Sequence, residues 1–350
     1  MDRQLRLQAA SVHLPVTVQT LGEAAAAGSL QGRALDLPDS TTLPVSTESP
    51  VALAARAALA TLGATGMANQ DVDDLYYAWT YDQWEPFWSP AHALANRLGL
   101  SSAIPIGIQQ MCNGGAAALH VVARAARAGA DFRALVATGD VFRPPGFDRW
   151  TGDYGVLYGD AGTAVMADAS GRPTPLGVKE STLLSLHTRA LPHLESMHRT
   201  VGEPVDSADA ERVRVVDVQA SKRAYLAAHG SDSLAQPMQT LLRDLTTSAL
   251  KDVHEQGLTL DGTAYLPRLM PRTLDALYLP IIASEFGLPV ANSVDTGHLG
   301  AGDLIANLAE VQRDPREGAA SDGSRVDLIV SAGAGFTITV AAVRTSMPSS

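Results

Sequence analysis

The stretch from Ile104 to Gly129 constrains this chain most. A short β-branched run, Ile104 to Ile108, predicts a buried strand. Cys112, the one cysteine of the 350 residues, follows it, and then come Asn113, Gly114 and Gly115. An Ala-rich segment with apolar residues at helical spacing runs on to a stop at Gly129. Cys112 therefore sits between a buried strand and the start of a buried helix. The free amides and positive dipole end of that helix favour a thiolate. The two glycines allow backbone or substrate to approach. A solitary cysteine is also an ordinary small hydrophobe; its context makes Cys112 a candidate nucleophile.

The rest of the composition narrows the field. The chain is 46% hydrophobic and 18% charged, which fits a well-buried globular protein of roughly two domains. With one Cys there is no internal disulfide, which suits a reducing cytoplasm. No secretory h-region stands at Met1 to Gln4, and no apolar run approaches the roughly 20 residues of a membrane span. A net charge of −11 argues against nucleic acid as a partner. No His, Cys and Asp grouping has metal-ligand spacing.

Further along, a helix from Pro50 to about Leu62 has Ser49 as cap and Gly63 as stop. Ala24 to Ser46 reads as a surface loop, and Tyr81 to Pro90 as an aromatic loop with Trp84, Phe87 and Trp88. The segments 206–230 and 236–254 read as helices, the first with a Val-rich start. The unit Ile104 to Gly129 has a counterpart: a Leu288 strand, a turn at Gly297 and His298, and a helix to Val311. Each is followed by a strand ending in a Gly turn. This implies an internal duplication, with halves at 1–170 and 171–350 built as βαβ layers. Its pseudo-twofold would bring Cys112 near His298.

Asp303, five residues after His298, can fix the imidazole tautomer, giving a nucleophile, base and orienter in Cys112, His298 and Asp303. The same two residues also fit a helix cap and a first-turn acid. The amides of Cys112 and Ala334 can form an oxyanion hole, although Gly333 to Gly335 equally fits a plain hairpin. Tyr158 to Gly162 lacks the lysine of a phosphate-binding loop.

Taken together, these motifs resemble the thiolase superfamily, and within it the ketoacyl-ACP synthase III group. The residues that carry the resemblance are His13 to Pro15, Val72 to Leu75, Ala95 to Leu100, Cys112, Leu157 to Gly162 and Ala332 to Phe336. The resemblance implies a five-layered αβαβα α/β fold with two pseudo-duplicated halves, a homodimer, and a cysteine acylated from a CoA or carrier-protein thioester, with no other cofactor. Condensing members add a His and an Asn. Here Arg268 stands at the His position and His298 at the Asn position. This departure is similar to the ketosynthase III-like acyltransferases of antibiotic biosynthesis, nearest the malonyltransferase type that acts on sugars of a cervimycin-like polyketide. It implies acyl transfer, malonyl foremost, to a hydroxyl of a glycosylated polyketide, with Arg268 against the malonyl carboxylate or at a surface or dimer interface. Gly152 and Asp153 stand where an Arg that contacts CoA is common, so CoA and carrier protein both remain donors. Condensation from a starter unit, hydrolysis of misprimed acyl groups and a non-catalytic partner subunit are the competing readings. His193 and His198 are expected in the core or at the surface, and the Trp84 loop beside an acceptor pocket or a dimer contact.

Overall fold

A computed structural model describes residues 4–30, 37–199, 216–292, 295–316, 318 and 322–346. In the first half the elements are β1 (Leu5–His13), β2 (Val18–Thr20), α1 (Leu21–Ala26), β3 (Thr42–Pro44), α2 (Pro50–Thr65), β4 (Asp74–Ala78), α3 (Pro90–Leu98), β5 (Ile104–Ile108), α4 (Gly114–Arg127), β6 (Arg133–Asp140) and β7 (Ala161–Asp168). The second half holds β8 (Glu180–Ala190), α5 (Val218–His229), α6 (Asp232–Glu255), β9 (Ala264–Tyr265), α7 (Pro271–Leu277), β10 (Val290–Ala291), α8 (Asp303–Arg313), β11 (Arg325–Gly333) and β12 (Thr337–Thr345).

The duplication read from the sequence is visible in the strand order. The ten main strands run β10-β9-β11-β12-β8-β1-β7-β6-β4-β5. From either edge inward, the two halves place equivalent strands in the same sequence. They meet where β1 pairs antiparallel with β8 over Leu5 to Gln8. In each half the outer three strands are parallel, as strand–helix–strand crossovers require. Helices α4 and α8 touch each other and strands of both halves, so they form the middle layer. Helices α2 and α3 cover the first half and α6 the second. The result is the expected five-layered α/β arrangement. The near-continuous burial of β6, β7, β11 and β12 follows from being covered on both faces.

Local signals explain most element ends. Ser49 caps α2 by accepting from the Ala52 amide, and Pro50 opens it. The helix passes the expected stop at Gly63 and ends at Gly66, whose φ of 65° supplies the left-handed cap. The expected loop from Ala24 to Ser46 instead contains the end of α1 and strand β3, which pairs with β2 ahead of the segment; Thr20 and Glu23 form a capping box at the start of α1. Of the helix expected over 206–230, α5 accounts for the part after 217, and residues before 216 lie outside the described ones. Among the described residues no helix is long and apolar enough to cross a membrane.

Candidate active site

Cys112 lies in the tight turn between β5 and α4. Met111 adopts φ 47°, a left-handed conformation unusual for a side chain of this kind, and this presents the next residue at the helix start. The cysteine is 7% exposed. The two glycines after it serve helix packing. A Cβ on Gly115 would fall 2.6 Å from the carbonyl oxygen of Ala301, and one on Gly114 would meet the Ala301 and Ala78 methyls at 3.1 Å. Only glycines let the start of α4 approach the start of α8 this closely. That contact brings the two pseudo-equivalent junctions together.

His298 is 3% exposed and Asp303 1%. His298 Nδ1 bonds to Asp303 Oδ2. The same oxygen accepts from the Arg268 amide at 2.9 Å, and Oδ1 accepts from the Leu299 amide at 2.8 Å. Burial opposes the charged form of His298, but the Asp303 carboxylate and the Cys112 sulfur outweigh it and hold its pKa well above the usual value. Burial also favours neutral Asp303, yet His298 and then Arg268 keep its pKa below the usual carboxylate value. The structure thus brings Cys112, His298 and Asp303 together, His298 lying between sulfur and carboxylate.

Gly333 packs on the turn that carries Cys112. A Cβ there would lie 2.5 Å from the Asn113 nitrogen and 3.2 Å from that of Cys112. Ala334, next in the chain, lines the same cavity as Cys112. Gly333→Ala is expected to displace one backbone from the other and to cost about 1–3 kcal/mol. A lower urea midpoint with an unchanged slope would register it, and an unchanged midpoint would refute it.

Arg268 lies elsewhere than expected for a carboxylate contact. It is 3% exposed, and its guanidinium donates to Thr296 Oγ1 at 3.2 Å, Asn307 Oδ1 at 2.6 Å and Glu310 Oε1. Its neighbours Pro267 and Leu269 line the cavity while Arg268 does not. The acids and amides of α8 hold this cation inside the protein.

The cavity beside Cys112 measures about 770 Å³. Part of its wall is an aromatic cluster, with Phe142, Phe147 and Tyr158 packed against one another at centroid distances of 4.5–5.5 Å. Tyr81 joins this cluster, whereas Trp84 lies under Arg143, Phe87 faces solvent and Trp88 borders a separate cleft. So the expected aromatic loop reaches the cavity only through its first residue.

Several site groups carry no local signal in the sequence. Tyr158 donates to Asp153 Oδ2 at 2.8 Å, and Lys222 from α5 pairs with Asp153 Oδ1 at 2.6 Å. Burial would raise the Asp153 pKa, but Lys222 holds it below the usual value. His198 lines the cavity; burial, aided by Lys222, lowers its pKa to about 3. His193 lies at the surface. Asp140, at the end of β6, accepts from Thr80 and Tyr81 amides through Oδ1 and from the Ala301 amide through Oδ2, so one carboxyl ties the cavity loop to the His298 loop. Burial pushes its pKa up to about 6. Asp160, in the Gly-rich motif after Tyr158, bonds Arg149 and the Ser46 and Phe142 amides, which gives that motif a structural role. Among the described residues no His, Cys, Asp and Glu group could hold a metal ion.

Residues 106–184 match the family model for 3-oxoacyl-[acyl-carrier-protein] synthase III. No curated protein matches the chain. A solved acyltransferase, ChlB3, is 25% identical, with a TM-score of 0.82 over 99% of this chain and 98% of that one. The 3-oxoacyl-(acyl carrier protein) synthase III of Pseudomonas aeruginosa PAO1 is 22% identical, with a TM-score of 0.67 over 99% and 100% of the two chains. OleA of Xanthomonas campestris, solved with lauric acid and lauroyl-CoA, is 15% identical, with a TM-score of 0.67 over 98% and 99%. The fold of this chain is thus the thiolase-like fold of the synthase III enzymes.

Proposed function

We propose that this protein is a ketosynthase III-like acyltransferase. It takes an acyl group, malonyl in this reading, from a CoA or carrier-protein thioester onto Cys112. It then passes the group, without decarboxylation, to a hydroxyl of a polyketide or deoxysugar acceptor. The observation that carries this reading is His298, oriented by Asp303, lining one large cavity together with Cys112. The likeness to an acyltransferase over almost the whole chain supports it.

The chemistry proceeds in two halves. Cys112 thiolate, paired with protonated His298, attacks the thioester carbon. The Cys112 and Ala334 amides face the oxyanion. His298 gives its proton to the departing thiol. The sulfur of the acyl-enzyme carries no charge, so His298 loses one of the two partners that favour its protonated form. It then accepts the proton of the acceptor hydroxyl as that oxygen attacks the acyl carbon. Decarboxylation would need a pair of neutral donors on the thioester carbonyl. His298 is one group, and the guanidinium of Arg268 is turned to α8. Exposed Arg223 and Arg272 line the cavity, and these are the cations a malonyl carboxylate or the donor's phosphates would meet. A homodimer in the cytoplasm is part of the same reading.

The test is intact-protein mass after incubation with malonyl-CoA, with the modified peptide located. A gain of one whole malonyl group on Cys112 is the expected result. A gain of acetyl would favour the second reading, starter-unit condensation, for which the match of residues 106–184 to a synthase model speaks. No gain from any acyl-CoA or acyl carrier protein would overturn both.

A further inference from the structure

Tyr158 stands beside the reacting sulfur and takes no part in the steps above. Its backbone is registered against that of His298: the His298 amide donates to Leu157 at 2.7 Å, and the Gly159 amide donates to His298 at 3.0 Å. The two rings meet edge to face at 5.4 Å. Both side chains line the same cavity as Cys112, and Tyr158 packs in one cluster with it. On its other side the Tyr158 hydroxyl bonds to Asp153, whose second oxygen is occupied by Lys222 and by the Tyr154 amide at 2.6 Å. Tyr158 and Asp153 are both buried at the cavity wall. Burial, Asp153 and Cys112 all disfavour the phenolate. The hydroxyl therefore keeps its proton, donates a hydrogen bond to Asp153, and belongs to a ring that shares one packed cluster and one cavity wall with Cys112.

We propose that Tyr158 is a further catalytic residue, its hydroxyl donating a hydrogen bond to the sulfur of Cys112 as that atom becomes a thiolate. The proposal rests on the acyl-Cys112 reading. When the acceptor oxygen bonds to the acyl carbon, its proton passes to His298. The carbon–sulfur bond breaks and its electron pair stays on sulfur. The Tyr158 hydroxyl turns from Asp153 to the sulfur and gives up no proton. Lys222 remains on Asp153, so the carboxylate keeps a partner while the hydroxyl is away. His298 and Tyr158 thus divide the work: one moves the proton, the other stabilises the leaving group.

The experiment uses the full chain with Tyr158→Phe, which keeps the ring among Phe142, Phe147 and His298. Wild type and variant are loaded from malonyl-CoA, freed of excess donor, and followed by intact mass as water removes the acyl group. The variant is expected to load to the same extent and to lose the group roughly 10- to 100-fold more slowly, the effect of one hydrogen bond to a charged atom. Loss at the wild-type rate overturns the proposal. Placing 3-fluorotyrosine at position 158 keeps the packing and makes the hydroxyl a stronger donor, so it is expected to speed the loss. A slower loss overturns the proposal even if Tyr158→Phe does not fold. A wild type that loads no acyl group overturns both this proposal and the reading beneath it, whereas normal loading with equal decay overturns this one alone.

Discussion

Cys112→Ala is expected to abolish acyl transfer, lowering kcat by roughly 10⁶-fold, the scale on which a nucleophile's loss acts in enzymes of this kind. Without the sulfur the remaining groups have nothing to act on. In the proposed reaction His298 acts on the sulfur, and the amides of Cys112 and Ala334 would hold only an oxyanion formed by attack from that sulfur. Groups that act as a unit lose their effect together. Adding His298→Ala to Cys112→Ala should therefore cost almost nothing more, although His298→Ala alone should slow transfer by about 10²–10⁴-fold. The removed sulfur occupies a buried position, so folding is tested alongside by urea unfolding. A single Cys112→Ala variant that still transfers malonyl groups, or a double variant much slower than it, would show that Cys112 is not the nucleophile.

How far such a site can be read in advance depends on whether its signals are local. The Cys112 junction and the His298 to Asp303 spacing are written in contiguous residues, because a strand, a turn and a helix start each leave a mark over a few positions. The near-symmetric strand order follows from the same repeated pattern. Arg268 shows the limit. Its place in the chain is visible, but the direction of its guanidinium is set by Asn307 and Glu310, one turn apart on α8. Gly114 and Gly115 show another limit: their need for space is legible, while the neighbour is the α8 junction rather than a substrate. Tyr158, Asp153 and Lys222 meet only when α5, which carries Lys222 69 positions beyond Asp153, folds over the cavity. Nothing in the spacing of three such residues marks them as a cluster. Gly63 fails for a smaller reason, since a glycine on an exposed helix face is tolerated and the left-handed cap fell three residues later.

Asp303→Asn is expected to lower acyl transfer by roughly 10³–10⁴-fold, because the amide cannot hold His298 in the tautomer that leaves its second nitrogen facing the sulfur. It should also lower stability by about 3–5 kcal/mol, the cost of removing one member of a buried charged pair. Both effects arise from one carboxylate. It serves His298, the Arg268 amide and the Leu299 amide at once, and an Asn side chain offers one acceptor oxygen for the three. The pH dependence identifies the pair. The pKa of Asp303 is depressed below 3.8, so its contribution is present above that value and is lost as pH falls through the lower folded value. The pKa of His298 is raised above 6.5, so its contribution is complete below 6.5 and is lost as pH rises through the higher folded value. Between those limits the pair stabilises the protein most. The difference in urea unfolding free energy between wild type and Asp303→Asn should accordingly be largest near pH 5 and shrink steadily as the pH rises above 6.5. A difference that stays constant across that range would mean that Asp303 acts on its amides alone and that His298 is not its charged partner.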